Sequence, residues 1–299
     1  MRASVIVVTY RRNRVLVDTV RALLPVLSSD DELIVVDQTD RHDTATSRFL
    51  ASLADDPRIR VIRLRIASVP LARNVGIRIA KAPIVVFVDD DVLVAPGFIE
   101  AHVGHYHDPS VGAVAGHSFS TSGRPYFVAT GRYASKLVGA NMSFRRDVLF
   151  EIGGFDTNLF STLREDGECG ERLLRRRWRI ANGASAALIH VAAVEGGAGG
   201  RERSDEWYRR TYHNYMYSLL KRSPLEIPVA LARYAAGTFR YRFPGAKRFF
   251  RPDFLLRVFA RGHVDGIRTR LFGDRGPYLT LSRPALSEVM TETERGDVC

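Results

Sequence analysis

Hydrophobic and polar positions follow two periods along the first 116 residues. Short apolar runs bounded by polar residues predict strands at 4–9 (SVIVVT), 32–37 (ELIVVD), 58–64 (RIRVIRL), 84–88 (IVVFV) and 111–116 (VGAVAG). Between them, 14–27, 44–54 and 71–80 carry helical spacing. This alternation predicts an α/β fold with a mostly parallel, Rossmann-like sheet and helices on both faces, because each parallel step needs a crossover. Beyond Gly116 the pattern loosens. Residues 118–125 read as a polar loop and 136–144 contain a strand. A helix starts near Arg145 and stops at Gly153-Gly154, 168–177 form a charged helix, and 186–191 a last short strand. The glycines of 195–200 (EGGAGG) suit a flexible segment that wraps a ligand closely. From about Asp205 the chain reads as helical and rich in Arg and Tyr, broken by Pro224, Pro228, Pro244 and Pro252.

The most informative run is APIVVFVDDD, residues 82–91. Its apolar, β-branched core reads as a strand buried on both faces, and Asp89, Asp90 and Asp91 follow where that strand emerges. Ligands of open α/β sheets bind outside the carboxyl ends of the strands. Three adjacent carboxylates repel one another, so a hard divalent cation bridging a phosphate is the expected occupant. Asp37 ends the second strand at the same edge. No glycine-rich turn follows the first strand, where the chain reads Thr9-Tyr10-Arg11-Arg12-Asn13, and there is no P-loop. Phosphates are therefore expected to be held by metal and arginine rather than by a backbone nest.

Composition refines this picture at three points. The two cysteines, Cys169 and Cys299, make no disulfide framework and fit a reducing compartment. The opening MRASVIVVTYRR reads as a first core strand, not a signal peptide, and no uncharged apolar run approaches the ~18 residues that span a bilayer. The net charge of +11 is concentrated: residues 229–275 hold eleven Arg or Lys against three acids. That segment points to a polyanionic partner.

The ordered segments SVIVVTYRR, ELIVVDQTD, VPLARNVGIRIAKAPIVVFVDDD, GANMSFRRDVLFEIGGFD and REDGECGERLLRRRWRI resemble the family 2 glycosyltransferases over about residues 3–190. The resemblance implies a GT-A fold and an enzyme, mostly inverting and of the hexosyl type. Such an enzyme moves a sugar from a nucleotide-diphosphate donor to a glycan or lipid-linked acceptor with Mn²⁺ or Mg²⁺. It places Thr9 and Asp37 at the base, Arg73 at the nucleotide or diphosphate, Asp89 at the ribose and Asp91 on the metal. Tyr10, Arg11 and Asp90 complete the implied donor site, and Asp89 and His190 the implied metal set. Asp166 is the implied base, with Glu165 beside it, and GANMSF and GGFD shape the acceptor site. One departure is plain: a longer acidic turn of many relatives is here Asp37-Gln38-Thr39-Asp40. The implied layout is a catalytic domain over 1–204, with a donor half to about 116, and a basic helical extension over 205–299.

The bare chemistry agrees, since a cation and an Arg stabilise a leaving diphosphate and a carboxylate can deprotonate a hydroxyl. Acids opening a helix also serve as caps, which is the structural alternative for Glu165 and Asp166. Two other functions compete. VVFVDDDVLV imitates the haloacid-dehalogenase phosphatase motif, though that motif ends a first strand and this one a fourth. A non-catalytic polyanion-binding protein would explain the tail but not the carboxylates. His102, His105 and His107 suggest a metal site but have no nearby carboxylate at ligand spacing, Cys169 reads as a small, partly buried thiol rather than a reactive one, Trp178 and Trp207 as packing residues, and Arg175-Arg176-Arg177 as a solvated face or a contact for an acceptor phosphate. Drawn as one helix, 254–272 carries Leu256, Ala260, Val264, Ile267 and Leu271 on one stripe and Arg257, Arg261 and Arg268 on another. The stripe suits an anionic membrane surface, rather than nucleic acid, or else packs on the core or a second copy. A cytoplasmic enzyme, peripheral at the inner face of the cell membrane, is expected.

Overall fold

The apolar runs become strands of a single sheet. The structure is a computed structural model that describes residues 2–160, 164–193, 195–197, 204–222, 225–237, 251–273 and 290–292. In chain order the first half comprises β1 (Ala3–Thr9), α1 (Arg14–Leu23), β2 (Asp31–Asp37), α2 (Thr44–Ser52), β3 (Ile59–Leu64), α3 (Val69–Ile79), β4 (Ile84–Val88), β5 (Val92–Val94) and α4 (Phe98–Gly104). There follow β6 (Val111–Ser120), β7 (Pro125–Phe127), β8 (Asn141–Arg145), α5 (Arg146–Ile152), α6 (Glu165–Arg175) and β9 (Arg179–His190). The C-terminal part holds α7 (Asp205–Leu220), α8 (Ile227–Gly237), a π-helical segment Phe254–Ala260 that runs into α9 (Arg261–Phe272), and β10 (Met290–Glu292).

The sheet order is β10-β3-β2-β1-β4-β8-β6-β9-β5, with β7 beside β6. Strands β3, β2, β1 and β4 are parallel, and the half beyond β4 is mixed. Alternate residues of the central strands feed two cores. Ile6, Ile34, Val85 and Phe87 face α3, α5 and α6, whereas Val5, Val7, Val35 and Val86 face α1, α2 and α4. Both faces are covered, which is why these strands read as unbroken apolar runs.

Register assembles the functional edge. Thr9 lies opposite Asp37, and Val7 opposite Val88, so β1, β2 and β4 end together. Antiparallel β8 sets Asn141 opposite Val88, which brings Gly139 and Ala140 beside Asp89. Strand β5 pairs Val92 with His190, returning the end of β9 to the carboxylates.

Several elements differ from the sequence reading. The expected loop at 118–125 is the turn of a hairpin, since β6 continues to Ser120 and β7 answers it. Gly123, at φ 76°, turns the chain, and Pro125 and Tyr126 are exposed, so no hydrophobic alternation marks that strand. Strand β9 is twelve residues long, not a short one, because Ala, Gly and Asn dilute its apolar pattern. Helix α6 starts at Glu165, so Glu165 and Asp166 occupy its first turn. His102 sits inside α4, fully buried between the Ser143 hydroxyl and Asn141 Oδ1 at 2.9 Å each, where both ring nitrogens are engaged by protein. Cys169 is buried.

Two asparagines fasten the segment from Phe155 to Phe160. Asn74 exchanges two 2.7 Å hydrogen bonds with the backbone of Phe155. Asn214 of α7 does the same for Phe160, at 3.0 and 2.8 Å. Nearby, buried Asp156 takes Lys221 Nζ at 2.6 Å, and the same ammonium bonds buried Glu168, which also holds Arg172. Burial alone would push the Asp156 carboxyl up, but the Lys221 charge and the Asn158 N–H reverse this and hold it below its ordinary value. The folded form thus prefers the carboxylate; this stability is present above about pH 4 and is lost as pH falls through the lower folded value. Asp156→Asn should cost about 3 kcal/mol at neutral pH. In thermal melts, its deficit against the parent should shrink once pH drops below ~4.

The C-terminal helices pack through a seam of small residues. A Cβ on Gly262 would meet Arg209 O at 2.6 Å, and one on Gly266 would meet His213 O at 2.7 Å, so α9 lies against the α7 backbone. Phe254 and Val258 fill a cluster with Tyr208 and Tyr212. Among the described residues, no helix is long and apolar enough to cross a membrane. Arg240, Arg242, Lys247, Arg248 and Arg275 of the basic segment, Ala198, Gly199 and Gly200 of the glycine-rich loop, and Cys299 lie outside the described residues.

Candidate active site

A cleft of about 310 Å³ opens where β1, β4 and β9 end. On its floor Asp89, Asp91 and His190 offer ligand atoms that all lie within 4.8 Å of one another. His190 Nε2 is 3.4 Å from Asp89 Oδ2 and 3.3 Å from Asp91 Oδ1. Burial pulls the imidazole down, but the Asp89 hydrogen bond and the Asp91 charge outweigh it and hold His190 above its ordinary value. Two oxygens and one imidazole nitrogen are a donor set that Mn²⁺ accepts readily and Mg²⁺ less so. Tyr126 of β7 stacks on the His190 ring at 4.7 Å and 7° and restrains it from the cleft side.

The middle aspartate serves another purpose. The Thr9 hydroxyl donates to Asp90 Oδ2 at 2.7 Å, and Arg12 Nε is 3.3 Å from Oδ1. Burial pushes Asp90 up to about 7, despite the pull of Arg12 and Thr9. Arg12 also donates to Asp91 Oδ2 at 3.2 Å and to the carbonyls of Ala193 and Glu195. The Ala193 N–H reaches the same Asp91 oxygen at 2.9 Å, and Gly197 N–H donates to Tyr10 O at 2.8 Å. Arg12 therefore joins the carboxylates to a strap that includes Ala193, Glu195 and Gly197. Gly197, at φ 82°, permits it, since a Cβ there would lie 2.8 Å from Arg12 Nη2.

The opposite wall carries the acid pair. Asp166 Oδ2 accepts from Gly139 N–H at 2.8 Å and Oδ1 from Gly167 N–H at 2.6 Å, so its carboxylate is fixed by backbone. Glu165 is largely covered, its side chain 13% exposed, and lies 3.7 Å from Arg73. Burial, then the Asp166 charge, push its carboxyl up to about 7 against the pull of Arg73. The Arg73 guanidinium rests 5.1 Å over the Phe155 ring and close to Gly139, where a Cβ would come within 2.3 Å of Arg73 Nη2 and make it shift. Arg164, at φ 94°, starts α6 and lines the same wall.

Of the expected site residues, Tyr10, Arg73, Asp89, Asp90, Asp91, Glu165, Asp166 and His190 line this one cleft. Thr9 and Asp37 lie beneath it, 1% and 0% exposed. Asp37 accepts the Thr39 N–H at 2.9 Å and sits 2.8 Å from His42 Nε2, while Gln38 takes the place on the wall. Arg11 is turned away by its φ of 54° and lies over the Tyr10 ring. Sequence reasoning missed Arg12, Gln38, Tyr126 and Arg164. Nothing in TYRRN separates Arg11 from Arg12; only the left-handed turn at Arg11 sends Arg12 inward.

Comparison with known proteins agrees with this geometry. The profile of a family described as Glycosyl transferase family 2 matches residues 4–166. A glucosyl-dolichyl phosphate glucuronosyltransferase of Haloferax volcanii is 27% identical over 180 residues, 53% of this chain and 57% of that protein. The chain thus spans little more than half the length of that curated relative. Among solved structures, S. aureus TarS 1-349 in complex with UDP-GlcNAc superposes with a TM-score of 0.66 at 16% identity, covering 90% of this chain and 81% of that one. The mannosyltransferase PcManGT from Pyrobaculum calidifontis, in complex with GDP-Man and Mn²⁺, gives a TM-score of 0.56 at 17% identity, covering 92% and 88%. The fold is the GT-A fold of nucleotide-sugar glycosyltransferases. The chain belongs to glycosyltransferase family 2, which sets aside the phosphatase reading.

Proposed function

We propose that this protein transfers a sugar from a nucleotide-diphosphate donor to a hydroxyl of a glycan or lipid-linked acceptor, with inversion and with a divalent cation, Mn²⁺ or Mg²⁺. The observation that carries this reading is the convergence of the Asp89, Asp91 and His190 ligand atoms and the backbone-fixed Asp166 carboxylate on one cleft. Asp89, Asp91 and His190 would hold the cation, which when bound would supply positive charge for the departing diphosphate. Arg73, on the opposite wall, adds a fixed cation for the same charge. Asp166 accepts the proton of the attacking hydroxyl, its two backbone donors keeping the carboxylate aimed. The ligands named for the two structural relatives and the dolichyl phosphate in the curated relative's name support the donor and acceptor classes.

Calorimetry of GDP and UDP with and without Mn²⁺ tests the donor half. One nucleoside diphosphate should bind about tenfold or more tighter with the cation. Equal binding in chelator would remove the metal from the proposal, and a product that keeps the donor's anomeric configuration would remove inversion.

A further inference from the structure

The stripe on the C-terminal helix faces outward. Leu256 is 72% exposed, Val264 51%, Leu271 55% and Phe272 83%, with Ile267 beside them. The inward side is the opposite one, where Gly262, Gly266, Phe254 and Val258 meet α7. The helix is therefore seated by its small and aromatic residues, and its aliphatic stripe is left over from the core. Arg257, Arg261 and Arg268 are exposed on this same outer side. The one acid of 254–272, Asp265, is engaged by Arg209, and Asp253 just before it by Arg251. Among the described residues, no acid neutralises the three outward arginines.

We propose that the outer side of residues 254–272 docks on an anionic lipid bilayer. Apolar side chains interspersed with arginine match the boundary between acyl chains and phosphate headgroups, the first entering and the second remaining at the phosphates. Charge decides between this occupant and a second copy of the chain. A two-fold contact through this side would set three unneutralised arginines against the same three, which disfavours self-association. An aqueous polyanion would use the arginines but would leave five large apolar side chains in water. The α9 helix alone is ~18 Å long, enough to lie across several headgroups. The inference is independent of the transferase chemistry, because none of these residues lines the cleft.

Co-sedimentation of the full chain with phosphatidylcholine vesicles, with and without phosphatidylglycerol, tests it. Partitioning should require the anionic lipid and fall as salt is raised. Each of Arg257→Gln, Arg261→Gln and Arg268→Gln should lower the partition coefficient about fivefold. Leu271→Ser with Phe272→Ser should lower it about tenfold or more. Thermal melts and Mn²⁺-dependent nucleotide binding, measured on the same preparations, should match the parent and show that the fold and cleft are intact. Partitioning indifferent to phosphatidylglycerol or to both sets of variants would overturn the proposal. So would a parent dimer in light scattering that Leu271→Ser with Phe272→Ser converts to monomer, since the stripe would then belong to a second copy.

Discussion

Asp166→Asn is expected to leave nucleotide binding intact and to lower turnover by about 10²–10⁴. The substitution keeps shape and removes the capacity to take a proton. It also turns one oxygen into a donor, which then faces the N–H of Gly139 or Gly167, the two groups that aim the carboxylate. A small loss of thermal stability should accompany the kinetic defect, of the order of one hydrogen bond, about 1 kcal/mol. Glu165→Gln should be milder, because its carboxyl is already pushed up to about 7 and an amide mimics the protonated form. Single-turnover rates and calorimetry on the same samples separate chemistry from binding. If Asp166→Asn lost affinity and rate together, the residue would be a helix cap.

Asp91→Ala carries the other large effect: transfer should fall below detection, and Mn²⁺ should no longer tighten nucleotide binding. Asp91 uses both oxygens, one toward His190 and one for Arg12 and the Ala193 N–H. The alanine variant therefore removes a ligand atom and frees the strap at once. Asp91→Asn tells them apart, since its amide oxygen can still accept from Arg12 and Ala193 while the charge on the ligand is gone. Stability should change little, because relief of repulsion among Asp89, Asp90 and Asp91 offsets the partner lost by Arg12. Full activity of Asp91→Ala in chelator would refute the assignment.

The buried centre of the molecule was legible in the chain. Runs such as IVVFV announce a strand covered on both faces, and register alone then gathers Asp37 and Asp89 to Asp91 at one edge. Legibility stopped where a property depends on direction rather than composition. Asp89, Asp90 and Asp91 are chemically alike, yet the backbone sends the middle one back to Thr9 and Arg12. Asp37 remains at its strand end but lies under Gln38, a difference of one residue in which side chain meets the cleft. Strands β7 and β9 were blurred because they are exposed or rich in small residues, so their pattern carries little hydrophobic contrast. The C-terminal stripe was visible, but its direction was set by Gly262 and Gly266, which no hydrophobic count records.

The trio Asp156, Lys221 and Glu168 bears on how this enzyme can be rebuilt. Two buried carboxylates ahead of α7 depend on an ammonium supplied by the end of that helix. Cutting the chain before Asp205 would leave both short of a counter-charge inside protein, at about 3–5 kcal/mol, a large share of a typical domain's stability. Arg172 could compensate Glu168 alone. Tails from related enzymes are therefore not freely interchangeable. A graft joined upstream of α7 must bring a lysine matched to both carboxylates, whereas one joined after Arg222 inherits the original clasp.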